Sequence, residues 1–266
     1  MRAAAACLIV LTLTGAAGCS SGSPNQPTQS PTPTPTPTPA PPPEPPPGGP
    51  AAPPPAPVPR VGKVRFVAFG DSLTEGTISA PLTLRLVNIP HAYPAKLQDA
   101  LRARYKNQPE IVVANEGKAG ESAIDARSRL IDAIKANNPE VLILMDGAND
   151  LLFYHRRGIS RVVGGVEDMI KEARSRGVLV IVASLPPQRA GGLRAEGEPY
   201  LAETNAALRT TAAEEGAGFV DVNAQLDLSY VGQDGLHLTE AGYARLAEIF
   251  AGAIRAAFEL PPAAAR

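Results

Sequence analysis

Ser72 stands at the end of Val64-Arg65-Phe66-Val67-Ala68-Phe69-Gly70-Asp71-Ser72-Leu73-Thr74-Glu75-Gly76, where a β-branched and aromatic run stops at a glycine and gives way to polar residues. Such a run reads as a buried strand ending in a tight turn. In open α/β sheets ligands bind outside the carboxyl ends of the strands, where the strand order reverses, so a hydroxyl just past a strand end is placed for chemistry. The competing reading is that Ser72 caps a helix beginning near Leu73, since serine is a preferred N-cap. Three further polar blocks invite the same question: Asn115-Glu116-Gly117-Lys118-Ala119-Gly120-Glu121-Ser122, Asp146-Gly147-Ala148-Asn149-Asp150 and Asp234-Gly235-Leu236-His237. The first carries glycines that let backbone N–H groups approach a ligand with no side chain in the way. The last contains one of only three histidines in the chain, three residues after an acid.

The elements that must position these blocks alternate regularly. After the first strand the spacing of Leu97 and Leu101 predicts a helix over Pro94 to Tyr105, followed by a strand from Glu110 to Ala114. Ile124, Ile131 and Ile134 share a face of a helix from Ser122 to Ala136, and a strand follows from Val141 to Met145. A third helix, Val162 to Ser175, buries Val162, Val166, Met169 and Ala173, and Val178 to Ala183 is an apolar strand. A helix from Pro199 to Glu214 precedes a short strand, Gly218 to Val222, and the last helix, from Thr239, carries Tyr243, Leu246, Phe250 and Ile254. Near-continuous apolar strands separated by amphipathic helices imply a parallel sheet covered on both faces, with right-handed crossovers. Each polar block then follows a strand and faces one rim. There is no internal repeat and no sign of a second folded domain.

With those four blocks in place the chain resembles the GDSL, or SGNH, hydrolases, esterases and lipases built on a flavodoxin-like sheet. The resemblance rests on Gly70-Asp71-Ser72-Leu73, on Gly120 in Asn-Glu-Gly-Lys-Ala-Gly, on Gly147-Ala148-Asn149-Asp150 and on Asp234-Gly235-Leu236-His237, and it runs from about Val64 to Phe258. It implies a three-layer αβα domain with a five-stranded parallel sheet. It also implies Ser72 as nucleophile, His237 as its base, Asp234 as the residue orienting that base, and an oxyanion hole of the Ser72 N–H, the Gly120 N–H and the Asn149 amide. Neither cofactor nor metal is implied. The residue types suit those roles: a serine hydroxyl is a poor nucleophile at neutral pH and needs a neutral imidazole to take its proton and a carboxylate to fix the tautomer. Asn149 has a second reading as a cap of the helix that follows it, a common use of asparagine. Asp71 and Asp150 read as loop braces. His91 falls in an insert between Thr77 and His91 that is longer than the family pattern leads one to expect, and His155, beside Tyr154 and Arg156, reads as a helix end.

Composition bounds the rest. A chain of 266 residues with 44% apolar residues, 19% charged residues and a net charge of −1 can bury a full core but has no field that would attract nucleic acid. Residues 1–19 read as an export signal: Arg2, an apolar stretch from Ala3 to Thr14, then Gly15-Ala16-Ala17-Gly18-Cys19. The apolar stretch is too short to span a bilayer, which takes about 20 residues. Ala16-Ala17-Gly18-Cys19 resembles the lipobox of bacterial lipoproteins, in which the cysteine is lipidated, although Ala16 stands where leucine is preferred. Release as a secreted protein is the alternative. Cys7 would leave with the signal, so the mature chain could form no internal disulfide. Residues 20–60 hold Thr-Pro repeats from Pro31 to Pro39 and proline triplets at Pro41, Pro45 and Pro53, a composition that favours extended polyproline II and forms no core. The catalytic domain is expected over residues 61–260, with a short tail at 261–266. The expectation is an exported, membrane-anchored, monomeric esterase acting on short acyl esters, lysophospholipids or acetylated sugars, its specificity set by the Thr77 to His91 insert and the Pro186 to Glu198 loop. Two other classes compete: a non-catalytic surface binding module on a hydrolase scaffold, and a phosphoryl-accepting or Mg²⁺-binding switch domain using Asp71 and Asp146. The latter lacks an adjacent acid pair and a lysine after the last strand.

Overall fold

The computed structural model describes residues 58–79 and 86–261. The export signal, Cys19, nearly all of the proline-rich segment and most of the tail lie outside the described residues. Five strands form one parallel sheet: β1 (Arg65–Gly70), β2 (Val112–Gly117), β3 (Val141–Met145), β4 (Leu179–Ala183) and β5 (Gly218–Val220), in the order β2-β1-β3-β4-β5. β1 lies at the point where the order reverses, pairing Phe66 with Val113 on one side and with Val141 on the other. The loops leaving β1 and β3 therefore diverge and open a crevice at the carboxyl edge.

Alternation along the strands explains the two layers of helix. Phe66 and Ala68 face one core with Val141, Ile143 and Met145, whereas Val67 and Phe69 face the other with Leu142 and Leu144. The helices are α1 (Ser72–Glu75), α2 (Tyr93–Arg104), α3 (Arg127–Asn137), α4 (Ala148–Tyr154), α5 (Gly158–Ser175), α6 (Leu201–Glu214), α7 (Val222–Gln225) and α8 (Glu240–Phe258). α2 and α8 cover the first face, where the Tyr93 and Phe250 rings lie 5.0 Å apart. α3, α5 and α6 cover the second through Leu130, Val162, Val166, Met169, Ile170 and Leu208. Tyr93, Tyr243, Phe66, Phe69 and Phe250 are all fully buried, and large apolar side chains contribute about 1.5–3 kcal/mol each on burial. α8 begins where the sequence signals it: the Thr239 hydroxyl accepts from the Gly242 N–H at 3.1 Å. This is the three-layer αβα arrangement of the SGNH hydrolases. No helix among the described residues is long and apolar enough to cross a membrane.

Several boundaries differ from the sequence expectation. β2 runs on through Asn115 and Glu116 to Gly117, because their backbones continue the ladder opposite Ala68, Phe69 and Gly70 whatever their side chains. The loop after β2 is correspondingly shorter than expected. The helix expected from Ser122 is a 3₁₀ turn at Ala123–Asp125 followed by α3 from Arg127. The Asp150 carboxylate takes the Ala123 N–H at 2.7 Å and sets that turn apart. Val222 belongs to α7 rather than β5, since the Asp221 side chain caps a new helix there by accepting from the Ala224 N–H at 3.0 Å. Outside the main sheet, Arg60–Val61 pairs antiparallel with Glu259–Leu260, and Thr77–Ile78 pairs with Leu86–Val87 within the insert.

Candidate active site

β1 ends at Gly70 and the chain turns at once into α1. The N-cap of that helix is Asp71, whose carboxylate accepts the Leu73 N–H at 2.9 Å. With the cap supplied by Asp71, Ser72 is not needed for it, and Ser72 Oγ lies 2.9 Å from Nε2 of His237. Ser72 is the first residue of α1, where a backbone N–H has no partner within its own helix. The end of β2 passes so close beneath α1 that a Cβ on Gly117 would fall 2.0 Å from the Glu75 nitrogen. Only glycine lets the nucleophile's helix sit there.

The Asp-x-x-His spacing is explained by the two oxygens of Asp234. Oδ1 accepts the N–H groups of Leu236 and His237, each at 3.0 Å, so the loop curls around its own carboxylate. Oδ2 is thereby left to meet His237 Nδ1 at 2.6 Å. Burial pushes the Asp234 carboxyl up, but the bonds from the His237 ring and the two N–H groups outweigh this and hold it below the usual range. Ser72, Asp234 and His237 are 5%, 8% and 5% exposed. An ionised Asp234 on Nδ1 favours the tautomer with its proton there, which leaves Nε2 free to accept from the Ser72 hydroxyl. Around this loop a short hairpin closes: the Gly232 N–H donates to the His237 carbonyl at 2.8 Å, and Val231 bridges Leu238.

The two remaining expected donors approach from β2 and β3. Gly120 sits in the loop after β2 with φ +81°, a conformation glycine adopts without strain, and a Cβ there would meet open space. Asn149 is the second residue of α4; its helix is capped by Gly147 without a side-chain bond, so the cap reading of Asn149 does not hold. Its Nδ2 instead donates to the Glu121 carbonyl at 2.8 Å, which leaves the second N–H of the amide for another acceptor. Asn149 thus ties α4 to the residue that follows Gly120.

Three buried carboxyls stand behind these groups. Asp150 braces the loop, accepting from Ala123 N–H and, at 3.1 Å, from Arg161 Nε. Asp71 and Asp146 follow the paired residues Gly70 and Met145 at the ends of β1 and β3, and each keeps one oxygen without a hydrogen-bond partner. Burial is the main reason that Asp71 is pushed up to about 6; burial and then the Asp71 charge push Asp146 well above its ordinary value. The other two histidines stay away from the site: His91 lies 3.4 Å from Glu240 and His155 3.8 Å from Glu196, both on exposed surface.

One contact at the site carries no signal in the sequence. Ser79, in the insert, accepts the Asp234 N–H on its hydroxyl at 3.0 Å. The Pro186 to Glu198 loop touches the same segment, with the Arg189 N–H donating to the Gly235 carbonyl at 2.9 Å and the Arg194 N–H to the Asp234 carbonyl at 2.8 Å. Both segments expected to set specificity therefore border the acid–histidine loop.

Comparison with known proteins gives a consistent picture. The sequence matches the GDSL-like Lipase/Acylhydrolase family over residues 68–245. No curated protein sequence matches it. Among solved structures, a lipase/acylhydrolase from Enterococcus faecalis shares 22% identity over 76% of this chain and 100% of its own, with a TM-score of 0.62. A carbohydrate acetylesterase from Sinorhizobium meliloti shares 22% over 74% of this chain and 100% of its own, at 0.63. The M. smegmatis aryl esterase shares 19% over 73% of this chain and 99% of its own, also at 0.63. Likeness at this level of identity establishes the shared fold.

Proposed function

The chain belongs to the GDSL-like lipase/acylhydrolase family, a carboxylic ester hydrolase of the SGNH type, and from that premise we propose that it cleaves short acyl esters through an acyl-serine intermediate on Ser72. The observation that carries this reading is the hydrogen-bonded line from Ser72 Oγ through His237 to Asp234, with both links short and all three side chains buried at the carboxyl edge of the sheet.

The chemistry runs along that line. The Ser72 hydroxyl passes its proton to Nε2 of His237 as Oγ bonds to the ester carbonyl carbon, and the carbonyl π electrons move onto oxygen. Asp234, held ionised, steadies the imidazolium. The oxyanion is received by the N–H groups of Ser72 and Gly120 and by the free N–H of Asn149, donors fixed before charge develops. His237 then returns the proton to the departing alkoxide, and the acyl group stays on Ser72. A water, deprotonated by His237 in its turn, hydrolyses the acyl-enzyme and frees the acid.

The preference for short acyl groups draws support from the relatives, two of which carry the names carbohydrate acetylesterase and aryl esterase. We also propose that the enzyme is exported and anchored through a lipid on Cys19, on the strength of the leader and of Ala16-Ala17-Gly18-Cys19. The catalytic reading is tested by trapping: brief reaction with an activated acetyl ester followed by peptide mass analysis should find the acetyl group on the Ser72 peptide and none in Ser72→Ala. A panel of aryl esters of graded acyl length should show kcat/KM falling beyond a few carbons. Turnover by Ser72→Ala equal to that of the native enzyme would remove the serine mechanism.

A further inference from the structure

α3 carries an arginine, Arg129, whose three guanidinium nitrogens each donate to the ends of two strands or to the loop that follows one of them. Arg129 Nε donates to Glu121 Oε2 at 2.7 Å, Nη1 to the Glu116 carbonyl at 2.7 Å and Nη2 to the Gly70 carbonyl at 3.1 Å. Its guanidinium lies over the Phe69 ring, with Cζ 3.8 Å from the ring centroid. Gly70 stands two residues before the nucleophile, Glu116 is the last residue but one of the neighbouring strand, and Glu121 immediately follows Gly120. The Glu121 carboxylate also receives Lys118 Nζ at 3.2 Å, and its main-chain carbonyl receives the Asn149 amide at 2.8 Å. The Lys118 N–H donates to the same Gly70 carbonyl at 2.9 Å, tying the start of the loop to the end of β1.

We propose that Arg129 is a positioning residue of the esterase: it fixes the Gly120 N–H, and through the Glu121 main chain the Asn149 amide, at the separation from Ser72 that the oxyanion requires. The argument rests on the acyl-serine reading above. In the loop Lys118-Ala119-Gly120-Glu121 a Cβ at Gly120 would meet nothing within 4 Å, and the Lys118 side chain is exposed. The loop's geometry is therefore set by the bonds that reach it from outside. Arg129 is the group that bonds both strand ends and the loop at once, and only a planar guanidinium spreads its donors over three separate nitrogens in a fixed fork. Lysine, a point charge with a different reach, could satisfy the Glu121 carboxylate but not the two carbonyls as well. Displacement of a donor by about 1 Å is enough to cost on the order of 10²-fold in rate.

The test compares Arg129→Lys, Arg129→Ala and Glu121→Gln with the native enzyme and with Asn149→Ala on one activated acetyl ester, with unfolding followed in parallel. Expected results are a fall of about 10–100-fold in kcat for Arg129→Lys with KM within about twofold, and a similar loss of affinity for an acetyl-type boronic acid that mimics the tetrahedral adduct. Combining Arg129→Lys with Asn149→Ala should cost clearly less than the sum of the two single losses, because both act on one hole. Added guanidinium should restore part of kcat to Arg129→Ala and none to Asn149→Ala. Glu121→Gln keeps the backbone and loses the charge-assisted bond, so it serves if Arg129→Ala does not fold, and its kcat should fall with KM held. Normal kcat per folded molecule in Arg129→Lys and Glu121→Gln, with only reduced stability, would overturn the proposal, as would full additivity with Asn149→Ala. Native turnover by Ser72→Ala would instead overturn the acyl-serine reading, which keeps the two failures apart.

Discussion

Asn149 is the residue whose role the structure narrows most. A capping asparagine would be worth about 1 kcal/mol of stability and nothing in rate. α4, however, is capped by Gly147, and the Asn149 amide crosses to the Glu121 carbonyl. If its second N–H meets the oxyanion, Asn149→Ala should lower kcat by about 10²–10³ with KM nearly unchanged, since that bond strengthens only as charge develops. Loss of the bridge to Glu121 adds a modest loss of stability. Steady-state kinetics and thermal unfolding of the variant, measured together, check this, and a kcat within threefold of native would exclude Asn149 from the mechanism.

At the level of elements, the ends of β1 and β3 place two carboxyls side by side under the site. Asp71 is pushed up, mainly by burial, from an ordinary 3.8 to about 6. Between those values the folded protein holds a proton that the unfolded chain has released, so stability falls as pH rises through that window. A shift of this size corresponds to about 3 kcal/mol. Asp71→Asn keeps an oxygen to accept the Leu73 N–H and removes the buried ionisable group. The variant should therefore match the native protein in stability near pH 4 and exceed it by up to about 3 kcal/mol near pH 7. Denaturant unfolding at the two pH values measures the difference, and parallel curves would contradict it. The same close fit of strand ends explains why β2 stays regular to Gly117 although Asn115 and Glu116 look like loop residues. Register with β1 is maintained by backbone groups, and the half-buried side chains find partners, Asn115 Nδ2 donating to the Glu75 carbonyl at 3.3 Å and Glu116 Oε1 accepting from Asn137 Nδ2 at 2.7 Å.

At the scale of the whole molecule, the described chain closes where Arg60–Val61 pairs with Glu259–Leu260, and among the described residues the core begins at Val61. Deleting Pro24 to Pro59 should accordingly leave kcat/KM on a soluble ester within about twofold and the thermal midpoint within a few degrees, since a proline-rich spacer contributes no packing. A large drop in the midpoint on deletion would place the domain boundary earlier. Cys19→Ser tests the anchor: the native protein should partition with membranes and carry a lipid mass at its amino terminus, and the variant should do neither, because stable anchoring takes more than one acyl chain. An unmodified native amino terminus would sink the proposal.

How much of this was legible in the sequence follows from which interactions are local. Apolar periodicity placed the five strands and the long helices, because burial of a strand or a helix face is written into neighbouring residues. Ser72, Gly120, Asn149 and the Asp234–His237 pair stood out because each lies next to a strand end within a short block. Asp234 and His237 come together through a turn only three residues long, so their contact was implicit in their spacing. Other features depend on partners distant along the chain. The strand order that sets β1 at the reversal point, the close passage of Gly117 under α1, the hold of Ser79 on Asp234 and the reach of Arg129 to Gly70, Glu116 and Glu121 arise only when separate segments are packed against one another. A side chain's own neighbours in sequence say nothing of carbonyls 13 to 59 residues away, and so the exclusion of the cap reading at Asn149, and the bonds that Arg129 makes, came from tertiary structure alone.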